Sequence, residues 1–243
     1  MATLNTYKRA LVMAMLCTST FVGELQAYDK PNHQVFPHPV NATMGTPDPI
    51  GSFNVRLNTF KQDRDGTSEY DIGGHLGYGL WEWGGIHLRS LGVRTTPLTE
   101  LIGLVGLWRS EQKEQGISFI SILGLPTSKK EGEEHHGLSY LVGLTGRMAI
   151  HNVLTNDVIL HYDVSAKHYI AETGTVVRLF TSMFGVLDTR TTVGSTQPEV
   201  LVMPAVKVKL FSLGFLGLGL NVPITTTSSF HRQVVVQIEV GNH

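Results

Sequence analysis

The stretch "LGLGLNVPITTTSSFHRQVVVQIEV" near the end of the chain repeats with a period of two. Leu216, Leu218, Leu220 and Val222 fall on one row, and Gly217, Gly219 and Asn221 on the other. After "PITTTSS" the alternation resumes, with Phe230, Arg232, Val234, Val236, Ile238 and Val240 set against His231, Gln233, Val235, Gln237 and Glu239. A period of two belongs to a β-strand with one greasy and one polar face. The same pattern recurs from Gly51 onward: in "FNVRLNTFK", "EYDIGGHLGYGL", "IHLRS", "LSYLVGLTGRM", "DVILHYDV" and "EVLVMPAVKVKLF". Three further segments, "TELIGLVGLWRS", "ISFISILGLP" and "TVVRLFTSMFGV", are apolar on both faces and read as strands by length and flanking turn residues.

Together these give about twelve strands, an even number as bacterial barrels favour; ten results if short segments are merged. Their expected starts lie near residues 53, 68, 84, 99, 116, 137, 152, 165, 175, 199, 213 and 229. Several run about 10 to 12 residues, enough to cross a bilayer at a tilt, whereas soluble strands run nearer five or six.

The start of the chain supports export. Lys8 and Arg9 precede an apolar stretch from Ala10 to Gly23, and cleavage is placed after Ala27, so that residues 1–27 read as a signal peptide. The only cysteine, Cys17, lies in that leader, which leaves no disulfide framework and no thiol chemistry in the mature chain. Of the 19 basic and 20 acidic residues, Lys8, Arg9 and Glu24 fall in the leader, leaving 17 and 19. Such a balance makes no electrostatic case for nucleic acid. No mature segment has the apolar length of a transmembrane helix. An exported chain that enters a membrane without helices must close its strands into a barrel, because every backbone polar group needs an internal partner. The expectation is therefore an all-β, closed, antiparallel up-and-down barrel over 51–243, in a Gram-negative outer membrane with lipid as its surroundings. Residues 28–50 hold five prolines and no period. They read as an N-terminal arm: a lumen plug, a periplasmic extension or a lead-in without structure of its own.

On this reading the polar rows line the lumen. They carry Arg56, Asp71, His75, His87, Arg89, Arg147, His161, Asp163, Lys207, Lys209, Gln237 and Glu239. Charges of both signs on an inward face suit a wet or salt-bridged interior. Trp81, Trp83 and Trp108 fall near strand ends, where an aromatic girdle would sit. His135 and His136 in "KKEGEEHHG" form the candidate metal pair, although a solvated loop tip is the favoured reading of them. Enzyme motifs are absent: there is no Gly-x-Ser-x-Gly elbow, phosphate loop or His-Glu-x-x-His, and no cofactor is called for. Ser139 or Ser165 beside His161 or His168 is the one pairing from which a lipid-modifying hydrolase could be imagined.

The runs "GTPDPIGSFNVRLNTF", "YDIGGHLGYGLWEWGGIHLRSLG", "ISFISILGLPTS" and the closing "LGLGLNVPITTTSSFHRQVVVQIEV" resemble a family of bacterial outer-membrane barrels. That family is transporter-like and related to the phenol-degradation meta-pathway barrel proteins. The resemblance spans about residues 45 to 240 and departs from many outer-membrane barrels in ending "EVGNH", without a terminal aromatic. It implies a channel for small, hydrophobic or organic solutes and brings no catalytic residues. The alternative is a closed structural or binding barrel whose His-bearing arm and loops hold a metal or a partner protein.

Overall fold

The computed structural model describes residues 36–40, 45–48, 50–64, 67–90, 92, 98–110, 115–126, 138–150, 153–195, 198–211, 214–225 and 232–241. Twelve strands follow one another: β1 (Phe53–Arg64), β2 (Thr67–Trp81), β3 (Gly84–Ser90), β4 (Leu98–Arg109), β5 (Gly116–Pro126), β6 (Ser139–Ile150), β7 (Leu154–Asp163), β8 (His168–Phe180), β9 (Met183–Val193), β10 (Val200–Phe211), β11 (Gly214–Pro223) and β12 (Arg232–Gly241). Each pairs antiparallel with its sequence neighbours, and β1 closes the ring on β12. The closing register runs from Asn54↔Gly241 to Asp63↔Arg232, so no strand edge is left open.

Two strand boundaries differ from the sequence reading. The segments expected to start near 165 and 175 form one strand, β8, and "TVVRLFTSMFGV" is not one strand but a hairpin turning at Thr181–Ser182. Its Thr, Ser and Met interrupt an apolar run without any Gly, Pro or Asn, so composition concealed the turn. The twelfth strand is supplied by "MFGVLDTRTTV".

The outer surface is apolar. Leu57, Ile72 and Leu218 are 56%, 60% and 60% exposed, and they belong to a belt that continues through Leu76, Leu144, Leu160, Val206 and Ile238. A belt of that extent far exceeds the patches soluble proteins tolerate.

The two ends of the cylinder differ. Links at the end where β1 begins and β12 ends are short, at 82–83, 110–115, 151–153, 181–182 and 212–213. At the far end most are longer, notably 91–97, 127–138 and 224–231. Four register shifts lie at the short-turn end, at Gly79/Trp81, Gly106/Trp108, Arg178/Phe180 and Lys209/Phe211. A bulge re-aims the next side chain, and each of these four ends in an exposed aromatic: Trp81, Trp108, Phe180 and Phe211. With Trp83 they form an aromatic band at that rim.

Candidate functional site: an occupied, ion-paired lumen

Period-two alternation sends the other row of each strand inward. Arg56, His87, Lys207, Gln237 and Glu239 are essentially fully buried there, and Asp71, His75 and His161 nearly so. Arg89 and Arg147 are also largely enclosed, each held by a carboxylate across the strand pair. Arg89 Nε donates to Glu100 Oε2 at 2.5 Å. Arg147 grips Asp157 through Nε and an Nη, both at 2.8 Å. Two residues of the expected set sit at the rims. Asp163 accepts the backbone N–H groups of Ser165 and Ala166 at 2.9 and 2.8 Å, which fixes the β7–β8 turn, and Lys209 is half-buried beside the β10 bulge. His135 and His136 lie outside the described residues, among which no group of three His, Cys, Asp or Glu is placed to hold a metal ion. Ser165 is engaged with the Leu138 carbonyl and the Tyr140 N–H rather than with a histidine.

The interior is not wholly ionic. Ile102, Leu104, Ile120, Ile122, Leu141, Ile159 and Ile170 form an aliphatic wall on β4 to β8. The lumen therefore combines the polar rows with an aliphatic wall. Its trace in the sequence was the pair of segments that are apolar on both faces.

The described part of the arm, residues 36–40 and 45–48, lies inside the barrel. Residues 37–40 and 45–48 are buried. Phe36 packs edge-on against Phe184, with ring centroids 5.6 Å apart, and the Arg178 guanidinium lies 4.8 Å from the Phe36 ring centroid. The backbone of the arm is held by lumen side chains. Arg56 donates to the Pro39 carbonyl at 3.1 Å, Lys207 to that of His38 at 2.6 Å, and Gln237 to that of Val40 at 3.0 Å. The N–H of Gly45 donates to Asp157 Oδ1 at 2.9 Å, and Arg109 donates to the Pro47 carbonyl. These anchors stand on opposite walls, β1, β10 and β12 on one side and β4 and β7 on the other, so the arm bridges the lumen. Its prolines explain the hold: Pro37, Pro39 and Pro47 keep the chain extended and lack their own N–H, leaving carbonyls for long basic side chains. At Gly45 a Cβ would strike the Gly146 backbone and the Asp157 carboxylate, so only glycine fits there.

Glu239 is the hub. Oε1 accepts the His38 N–H at 3.0 Å and lies 2.5 Å from His38 Nδ1, while Oε2 accepts from Lys207 Nζ at 2.6 Å. A second chain starts at Arg56, whose Nη2 donates to His75 Nδ1 at 2.6 Å. Because a guanidinium can only donate, His75 carries its proton on Nε2 and donates it to His87 Nδ1 at 2.8 Å. The proton of His87 is thereby placed on Nε2, which faces Asp48 Oδ2 at 3.7 Å. Neither oxygen of Asp48 makes a hydrogen bond among the described residues. Desolvation raises its pKa to about 6, against the opposing pull of Arg56, Arg147 and Arg109.

His38 and Asp48 were missed by sequence reasoning because the arm has no period to mark an inward row. Asp157 could have been found, since it shares the row of His161. Glu100 sat within a segment read as apolar on both faces.

Fold and interior together define a closed, twelve-stranded antiparallel β-barrel with an apolar outer belt and with residues 36–40 and 45–48 in its lumen. No protein-family description and no curated sequence matches the chain. Solved structures do. KdgM porin aligns with a TM-score of 0.60 at 10% identity, over 78% of this chain and 99% of that one. The COG4313 outer membrane channel from Pseudomonas putida F1 aligns with a TM-score of 0.59 at 8% identity, over 84% and 100%. NanC porin aligns at 0.54 and 7%, over 77% and 99%. At these identities the likeness is one of fold.

Proposed function

We propose that the protein is an outer-membrane channel for small solutes, with its short turns toward the periplasm and its longer loops outside. The observation that carries this reading is the inversion of the usual protein plan: an aliphatic belt outside and buried Arg56, Lys207 and Glu239 inside a closed ring. The lumen has one ion-paired wall and one aliphatic wall, which suits a solute with a polar end and an apolar body; the resembled barrels imply hydrophobic or small organic solutes, and Arg56, Arg89, Arg147, Lys207 and Lys209 would attract anionic groups. Of the solved neighbours, KdgM porin has been observed in complex with disordered oligogalacturonate, and passage of a small organic solute is the corresponding proposal for this chain. Planar-bilayer recording and liposome swelling with the full mature chain test it. Discrete conductance steps and solute-dependent swelling are expected; their complete absence over a range of voltages refutes the channel. The closed binding barrel is the second reading, favoured by the depth at which residues 37–40 and 45–48 are buried, and a silent but folded protein would select it.

The raised pKa of Asp48 sets a pH dependence. With a folded value of about 6 against an ordinary 3.8, the docked arm favours the protonated carboxyl. That contribution is complete below about pH 4 and is lost as pH rises through 6, on the order of 3 kcal/mol in all. The groups facing Asp48 are His87, Arg56, Arg109, Arg147 and Glu239, from β3, β1, β4, β6 and β12. Opening events are therefore expected to be more frequent at pH 7.5 than at pH 5, and Asp48→Asn should remove most of that difference. An unchanged pH profile in the variant would show that another group controls it.

A further inference from the structure

At the far end of the lumen, away from the arm, a second set of polar side chains converges. His161 lies near the end of β7, directly opposite Gly143 on β6 and Ile170 on β8. Glu172 lies opposite Arg190 on the β8–β9 pair, with Arg190 Nε 3.6 Å from Glu172 Oε1. From the other wall come Arg89 and Glu100, and the ring of His161 lies within electrostatic reach of all four charged groups. His161 is 3% exposed, and neither of its ring nitrogens meets a hydrogen-bond partner among the described residues. The same holds for Glu172 Oε2 and Arg190 Nε. A buried polar group left without a partner is destabilising, and here an imidazole, a carboxylate oxygen and a guanidinium N–H share that condition on adjacent strands of one inward face.

We propose that this collar is a binding site for a small neutral molecule that carries hydroxyl groups on an apolar body. Three features select that chemistry. The unmet groups include donors and acceptors side by side, and a hydroxyl both donates and accepts. The charges are already matched, Arg89 with Glu100 and Arg190 with Glu172, so an anion would find no uncompensated cation. Leu141, Ile159 and Ile170 adjoin the collar and offer an aliphatic surface to the ligand body. The site rests on the reading of the lumen as a solute path and names the solute class at its outer mouth.

Equilibrium binding to the full mature chain in detergent tests the site independently of transport. The probes are trans-cyclohexane-1,2-diol, cyclohexanecarboxylate and methylcyclohexane. Wild type is expected to bind the diol saturably and at least about tenfold more tightly than either of the others. His161→Leu should weaken diol binding by about tenfold. Glu172→Gln frees Arg190 and should move the preference toward the carboxylate, a change of selectivity that mere structural damage would not produce. Should His161→Leu lose the heat-modifiable gel migration of a folded barrel, Glu172→Gln decides alone. The proposal is overturned if wild type fails to bind the diol saturably, if it prefers the carboxylate, or if the folded variants bind all three probes as wild type does. Saturable diol binding by a protein that passes no current would refute the channel and leave the site standing.

Discussion

Glu239→Ala is expected to destabilise the folded barrel by about 3–5 kcal/mol, because it strips the directly bonded carboxylate partner from a fully buried ammonium. Lys207 has 0% exposure and would be left with the His38 carbonyl alone among the bonds described above. A carbonyl accepts a hydrogen bond but cannot neutralise the charge, and the desolvation cost of the ion is then uncompensated. The same substitution takes away the acceptor of the His38 N–H, so loosening of the arm should accompany the loss of stability. Urea titration in detergent, followed by tryptophan fluorescence, reads the first effect, and protease access to residues 36–48 reads the second. The double substitution Lys207→Met with Glu239→Leu should recover most of the lost stability, since a buried ion pair is often replaceable by apolar side chains of similar volume. It should not recover the docking of the arm, since the Glu239 carboxylate that accepts the His38 N–H would still be absent. Equal urea midpoints for Glu239→Ala and wild type would contradict the assignment of this pair as the central tie.

A chain lacking residues 36–48 is expected to form the same barrel and to conduct several times better than the full mature chain. The ring is complete without the arm: β1 begins at Phe53 and pairs with β12 and β2 along its length. What the arm supplies is occupancy of the lumen. Its removal leaves the side chains of Arg56, Gln237 and Arg109 facing one another across a space that water can enter, so the polar groups exchange protein partners for hydration rather than being stranded. The aliphatic wall of β4 to β8 stays in place, and the rise in conductance should therefore come from the β1, β10 and β12 side. Planar-bilayer recording of both chains under the same salt measures the change. A deletion that conducts no better than the full chain would assign the constriction to the barrel wall itself.

The barrel was legible because its apolar outer face follows a strict rule. Rows such as Leu216, Leu218 and Leu220 must all face outward, and a single period identifies them. The inward residues were legible wherever the outward row was clean, as for Arg56, His75, Lys207 and Glu239. The rule fails where both rows are apolar. Ile102 and Ile120 face inward, yet nothing in "ELIGLVGL" or "ISFISIL" separates them from their lipid-facing neighbours, since dispersion favours the same side chains in a packed interior as in a bilayer. It also fails in the arm. The inward position of His38 and Asp48 depends on contacts with strands as far away as β12, over two hundred residues along the chain in the case of His38 and Glu239, and no local pattern encodes such a contact.

The position of the Glu239 hub has a bearing on biogenesis. Residues 36–40 and 45–48 precede the first strand, but the carboxylate that receives His38 is carried by the last, so that part of their receptor is absent until β12 has joined the wall. Docking of His38 is thus a report of completed closure. An intermediate that has added every strand but β12 would leave His38 without the Glu239 carboxylate and the seam open together, both awaiting the same final hairpin.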